Sequence, residues 1–251
     1  MKLILALLLS LYLLLVAFPA SALELSIAFA SDRPPYCFRK DNLDQGIEIE
    51  LLRLIMAQAG HTIKIVTIPK IRLIKAVRDK EVDAAATVQD NKDSNLYFSD
   101  PYLEFQNVAI SKSLHKIQLN NLPDLKNYSF IIWQDGWRNL GPEFEATYRP
   151  DANGIFPKNY NQAFNQLSQN KMFWADRVQI IIIDKTIFEH NKRQLATEFD
   201  TSVALTYHDV IKTKTPYSVA FNDANLRQQF NEGLKRIRTS ATYQKIIDSY
   251  K

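Results

Sequence analysis

The chain is poor in the residues that chemistry most often needs. It has one cysteine, Cys37, so no internal disulfide can staple it, and burial of an apolar core has to stabilise the fold. Its four histidines, His61, His115, His190 and His208, are scattered, and no metal-ligand spacing links them to one another or to Cys37. Six glycines in 251 residues are too dispersed to cradle a phosphate. There is no G-x-S-x-G, no Walker loop and no G-x-G-x-x-G, which removes the common routes to a hydrolase, a nucleotidase or a dinucleotide enzyme. These absences imply neither cofactor nor metal. Lys and Arg, 31 in all, are interspersed with 27 Asp and Glu and form no cluster, so nothing points to a nucleic-acid partner.

What the chain does have begins at its N-terminus. Lys2 precedes an almost unbroken apolar run from Leu3 to Val16, and Ala20-Ser21-Ala22 follows as a small-x-small cleavage site. That order is the order of a secretory signal peptide, and the run is shorter than the roughly 20 residues of a spanning helix. Cleavage after Ala22 gives a periplasmic chain starting at Leu23, and loss of Lys2 lowers the formal charge from +4 to +3. No later segment is long and apolar enough to span a membrane.

The rest alternates strands and helices. Leu25 to Ala30 reads as a short buried strand and Ile63 to Ile68 and Val82 to Thr87 as further strands, with a helix led by Gly46 and stopped at Gly60 between the first two. Ile71, Ile74 and Val77 predict one apolar face of a second helix. A second α/β series starts near Ser129. In it, Tyr160 to Gln169 reads as a helix with Ala163, Phe164 and Leu167 on one face, and the four isoleucines Ile180 to Ile183 read as a strand buried on both faces. Ser218 to Phe221 predicts a late strand. Leu226, Phe230, Leu234 and Ile237 predict a long helix capped near Asp223. The pattern is α/β, in two units without a flexible linker.

Several segments together resemble the extracellular solute-binding proteins, family 3, which include periplasmic receptors for polar amino acids. Pro34-Pro35-Tyr36-Cys37-Phe38 is similar to the family's Pro-aromatic turn, and Gly46-Ile47-Glu48-Ile49-Glu50-Leu51 to its Gly-led first helix. Lys80-Glu81-Val82-Asp83-Ala84 resembles its G-x-V-D-A strand entry. Phe98-Ser99-Asp100-Pro101-Tyr102 matches its F-S-D-P-Y signature. The resemblance implies a type II periplasmic binding protein fold, two α/β lobes joined by two crossover strands. Lobe one would run from residue 23 to 105, lobe two from 106 to 205, and residues 206–251 would return to lobe one.

The resemblance also implies a ligand site. Asp184, five positions after Gln179 in R-V-Q-I-I-I-I-D, stands where the family binds a ligand amine; as a helix N-cap it has an equally good structural role. Lys92 stands near the family's carboxylate-binding Arg, either as a point charge for an anion or as a surface lysine. Thr87 falls at a ligand-bonding Ser. Trp137 and Arg138 fall where the second lobe offers residues after a Gly, with Arg138 as a second anion candidate. Arg33 replaces a stacking aromatic, with Tyr36 nearby, and Arg72 is a further cleft candidate. The implied partner is a small polar molecule, an amino acid or related compound, captured by lobe closure without turnover. It would then be delivered to a membrane transporter or reported to a membrane sensor. A dehydratase on the same fold is the third reading, although Glu48, Glu50 and Glu143 show no spacing that singles out a base.

Overall fold

The computed structural model describes residues 22–30, 33–89, 95–211 and 214–250. The expected signal segment up to Ser21 and the anion candidate Lys92 lie outside the described residues.

Two sheets organise the chain. The first contains β1 (Glu24–Ala30), β4 (Thr62–Ile68), β5 (Ala84–Val88), β6 (Tyr97–Phe98), β7 (Leu103–Phe105) and β13 (Thr215–Phe221), in the order β4-β1-β5-β13-β6 with β7 also on β13. β4, β1 and β5 run parallel, and β13 comes back antiparallel from far along the chain. The second sheet has the order β10-β9-β11-β8-β12, from β8 (Asn107–Lys112), β9 (Phe130–Trp133), β10 (Tyr160–Ala163), β11 (Ile180–Asp184) and β12 (Leu205–His208). β9, β10 and β11 are parallel, whereas β8 and β12 are antiparallel to their neighbours. Gln106 joins β7 to β8. The chain leaves the second sheet after His208, three residues past the boundary expected at residue 205, and rejoins the first sheet at Thr215.

The PPY segment is fixed by its neighbours. The backbone N–H groups of Ile47 and Glu48, which open α1 (Ile47–Ala57), donate to the Pro35 and Tyr36 carbonyls at 3.0 and 2.9 Å. This satisfies donors that every helix start leaves free. It also requires Gly46: its φ is 126° and any Cβ there would strike the Tyr36 carbonyl. The small hairpin of β2 (Phe38–Lys40) and β3 (Leu43–Gln45) bridges the turn and the helix. Later in the chain, α6 (Ala224–Arg238) is capped by Asp223, as expected, and crosses α1 so closely that a Cβ on Gly233 would meet the Ile55 carbonyl. α7 (Ala241–Asp248) closes this layer.

Two expectations fail in register. Ile71 is 90% exposed, because a 3-10 turn at Lys70–Arg72 precedes α2 (Leu73–Arg78) and shifts its phase, so that Leu73, Ala76 and Val77 are buried instead. Tyr160 to Ala163 is a strand beside β9, not a helix. α4 (Gln166–Trp174) starts only after Asn165, whose side chain accepts the Ser168 N–H, and Phe164 is left 89% exposed. In both places a short segment at the sheet edge satisfied the helical spacing by accident; tertiary pairing decided its state. The remaining helices are α3 (Pro142–Tyr148) and α5 (Lys185–Gln194).

Candidate functional site

The carboxyl ends of the parallel strands carry the candidate residues. In an open α/β sheet these ends form the crevice where ligands bind. In the first unit, Arg33 follows β1, Lys70 follows β4, and Thr87 and Gln89 end β5. In the second, Asp135 and Asn139 follow β9, and Asp184 ends β11. Among the side-chain hydrogen bonds that tie the units together, two come from these strand ends and the PPY segment. Tyr36 OH donates to Asp184 Oδ1 at 3.2 Å, and Asn139 Nδ2 donates to Gln89 Oε1 at 2.7 Å. Arg33, Lys70, Thr87 and Asp135 belong to the strand ends that these links hold together.

A polar chain lies in the first unit's wall. Arg33 Nη2 donates to both oxygens of Glu48, at 2.8 and 2.9 Å. Thr87 Oγ1 donates to Glu48 Oε2 at 2.5 Å and lies 3.1 Å from the Tyr102 hydroxyl. Glu48 is fully buried and the Arg33 side chain is 12% exposed. Burial pushes the Glu48 carboxyl up, and Arg33 and the Thr87 hydroxyl pull it back. Burial is the largest influence on the Arg33 charge and opposes it, but Glu48 together with Tyr217, Cys37 and Tyr102 outweighs it, and the guanidinium sits above its ordinary value. Thr87 has φ 57°, a costly conformation for a β-branched residue, which the surrounding structure holds in place. Glu48 was legible as part of the Gly-led helix, but nothing in the sequence paired it with Arg33.

Tyr36 stacks on Phe105, with ring centroids 4.3 Å apart, and Arg33 lies over the other residue of interest here, the same Phe105 ring, at 5.5 Å. Asp184 is 2% exposed and accepts four hydrogen bonds: Tyr36 OH, Gln106 N at 2.9 Å, and the α5 donors Thr186 N and Ile187 N. It is therefore a helix cap, and it also joins the first unit, the crossover and the second unit. Burial pushes this carboxyl up to about 6, against the hydrogen bonds that favour its charged form. A cavity of about 470 Å³ opens beside it, lined by Tyr36, Gln106, Asp184 and Thr186.

The other candidates separate. Trp137 is buried in the second unit's core, and Arg138 is exposed and stacked over it at 4.2 Å. Arg72 pairs with Glu81 at 3.1 Å on the surface, with both side chains about half exposed, so it is not among the gathered residues. Phe173 and Trp174 pack on Phe188 in the core.

Lys70 and Asp135 carried no signal at the sequence level. Both keep exposed surface. Yet the protein packed around the Lys70 ammonium, and then the Arg33 charge, push it down to about 8, against the pull of Asp135 and Glu48. Among the described residues Lys70 has no hydrogen bond or ion pair. Buried Lys112 shows the opposite case, donating to the Trp174 carbonyl at 3.0 Å and to Asp176 at 2.7 Å. No group of three or more metal-ligating side chains occurs among the described residues.

Comparison with known proteins agrees with this geometry. Residues 25–251 match the sequence pattern of the bacterial extracellular solute-binding proteins, family 3. The arginine-binding extracellular protein ArtP of Bacillus subtilis (strain 168) is 22% identical over 232 residues, 89% of this chain and 84% of that protein. The GluR0 ligand-binding core in complex with L-glutamate superposes with a TM-score of 0.72 at 15% identity, over 92% of this chain and 99% of that one. A histidine kinase sensor domain with similarity to periplasmic binding proteins gives 0.70 at 19%, over 90% and 96%. The two units are thus the two lobes of a type II periplasmic binding protein fold, joined by two crossover strands. The chain belongs to the bacterial extracellular solute-binding proteins, family 3.

Proposed function

We propose that this protein captures a small polar solute, an amino acid or a related compound, between its lobes on the outer side of the cytoplasmic membrane. We further propose that it releases the solute unchanged to a membrane transporter. The observation that carries the reading is the convergence of charged and polar side chains from both lobes at the carboxyl ends of the parallel strands. A ligand held there touches both lobes, so its binding energy favours the closed arrangement. Export to the periplasm with cleavage after Ala22 is part of this proposal, and so is the division into lobes, with the return to lobe one placed between His208 and Thr215.

Binding is favoured over turnover because the acidic residues weighed as a base are either bonded to protein groups or exposed on a helix surface. Glu48 is held by Arg33 and Thr87, Glu50 accepts from Tyr250 OH, and Glu143 lies exposed on α3. A general base needs a free, positioned lone pair.

Mass spectrometry of solute released from protein purified out of a periplasmic extract tests the proposal, together with scattering before and after the solute is added back. The expected result is one small polar solute, recovered unchanged, that reduces the radius of gyration. Recovery of a converted product would replace capture with catalysis.

A further inference from the structure

The Lys70 ammonium has no hydrogen bond or ion pair among the described residues and lies near a second cation, Arg33. β4 pairs with β1 in register, with Ala30 opposite Ile68, so the segments leaving these strands start side by side. One leads to Arg33, the other to Lys70. Arg33 spends a single nitrogen, Nη2, on both Glu48 oxygens, while its Nε is buried with no hydrogen-bond partner. Lys70, two residues past the end of β4, has no bond among the described residues. Across the cleft Asp135 favours the Lys70 charge; it is set on the second lobe in a left-handed conformation with φ 55° and tied by its backbone to Gln162 at 2.7 Å. Two neighbouring cations with unspent donors in a partly desolvated wall are unfavourable alone, and an anion between them relieves both.

We propose that Lys70 and Arg33 form a carboxylate-binding subsite, and that the captured solute is acidic, of the amino-dicarboxylate or dicarboxylate class. This rests on the capture reading above and narrows it. The solute carboxylate bridges the Lys70 ammonium and the unspent side of the Arg33 guanidinium, and a donor at the other end of the solute meets Asp135 when the lobes close. A guanidinium solute placed here would face two like charges. Desolvation first, and then the like charge of Arg33, hold the Lys70 ammonium below its ordinary value.

The test is titration calorimetry on the exported, purified protein at fixed ionic strength. The probes are L-glutamate, L-aspartate and succinate, set against L-arginine, L-lysine and L-glutamine. The expected result is binding of at least one acidic probe about tenfold or more tighter than the basic ones. Lys70→Met should weaken that binding about tenfold or more, and Lys70→Arg, which keeps the charge, should hold it within about threefold. If Lys70 serves only as an ion pair with Asp135 across the lobes, Asp135→Asn and Lys70→Met will weaken every probe equally, and the subsite inference fails. A basic or neutral probe that binds best and is unaffected by Lys70→Met also overturns the subsite, while capture stands. No binding of any probe, with no co-purified solute, overturns capture and the subsite together.

Discussion

The cleft differs between its hinge end and its mouth. At the hinge end, beside the crossover at Gln106, each oxygen of Asp184 has protein donors, and Tyr36 is stacked and hydrogen-bonded. Midway, both oxygens of Glu48 are filled by Arg33 and Thr87. At the mouth, where the edge strands β4 and β10 end, the Lys70 ammonium has no hydrogen bond or ion pair among the described residues, and Ile71 and Phe164 stand in solvent. Satisfied buried charges hold a structure in register; unsatisfied ones at a rim await a partner. The difference separates residues whose charges the protein itself satisfies from the residue proposed to read a solute.

The largest expected effect lies at the centre. Glu48→Ala leaves the Arg33 guanidinium buried without its carboxylate and should cost about 3–5 kcal/mol, read as a lower denaturation midpoint. A loss below about 1 kcal/mol would mean that water already shares the pair.

Asp184→Asn comes next, and its effect depends on pH. The folded carboxyl sits at about 6 against an ordinary 3.8, so in the folded state it keeps its proton to higher pH. The folded form therefore binds more protons than the unfolded chain between those values, and stability from this group falls as pH rises through that window. The unfolding free energy of the unmodified protein relative to Asp184→Asn should fall by about 2–3 kcal/mol between pH 3.5 and pH 7. A flat difference would show that the four hydrogen bonds hold the carboxylate at its ordinary value.

Thr87→Val keeps the branched shape but removes the hydroxyl from Glu48 and Tyr102. The expected cost is about 1–3 kcal/mol, with Thr87→Ser recovering most of it. Equal losses in both variants would assign the effect to the strained backbone rather than the hydrogen bond.

The smallest effects belong to the surface and the mouth. Arg72→Ala breaks only a half-exposed pair and should change stability by less than about 0.5 kcal/mol. Lys70→Met should be as mild in thermal melts while weakening solute binding; a large destabilisation would move Lys70 from the reading residues to the building ones.

Much of the fold was legible because burial leaves periodic marks. Four isoleucines announced β11, Asp223 announced the start of α6, and Gly46 announced the start of α1. Asp184 was legible by its spacing from Gln179, including its capping role. Its partner Tyr36, 148 positions away, was singled out separately, and no local pattern paired the two. Ile71 and Phe164 misled the periodicity because apolar residues at sheet edges copy helical spacing for a few positions. Lys70 left no mark at all, since an unpaired lysine beside a proline looks like any surface lysine.

The amino-acid order by itself determined most of the strands and helices away from the sheet edges, the caps at Asp184 and Asp223, and which family the chain belongs to. Those properties depend on neighbours within a turn or two, or on the order of motifs along the chain. Only the tertiary structure decided which charges meet: Arg33 with Glu48, Tyr36 with Asp184, and Lys70 beside Arg33 with Asp135 across from it. Electrostatic energies depend on distance and on how much water is excluded. Both are set only when strand ends far apart in the chain are brought together by the sheets.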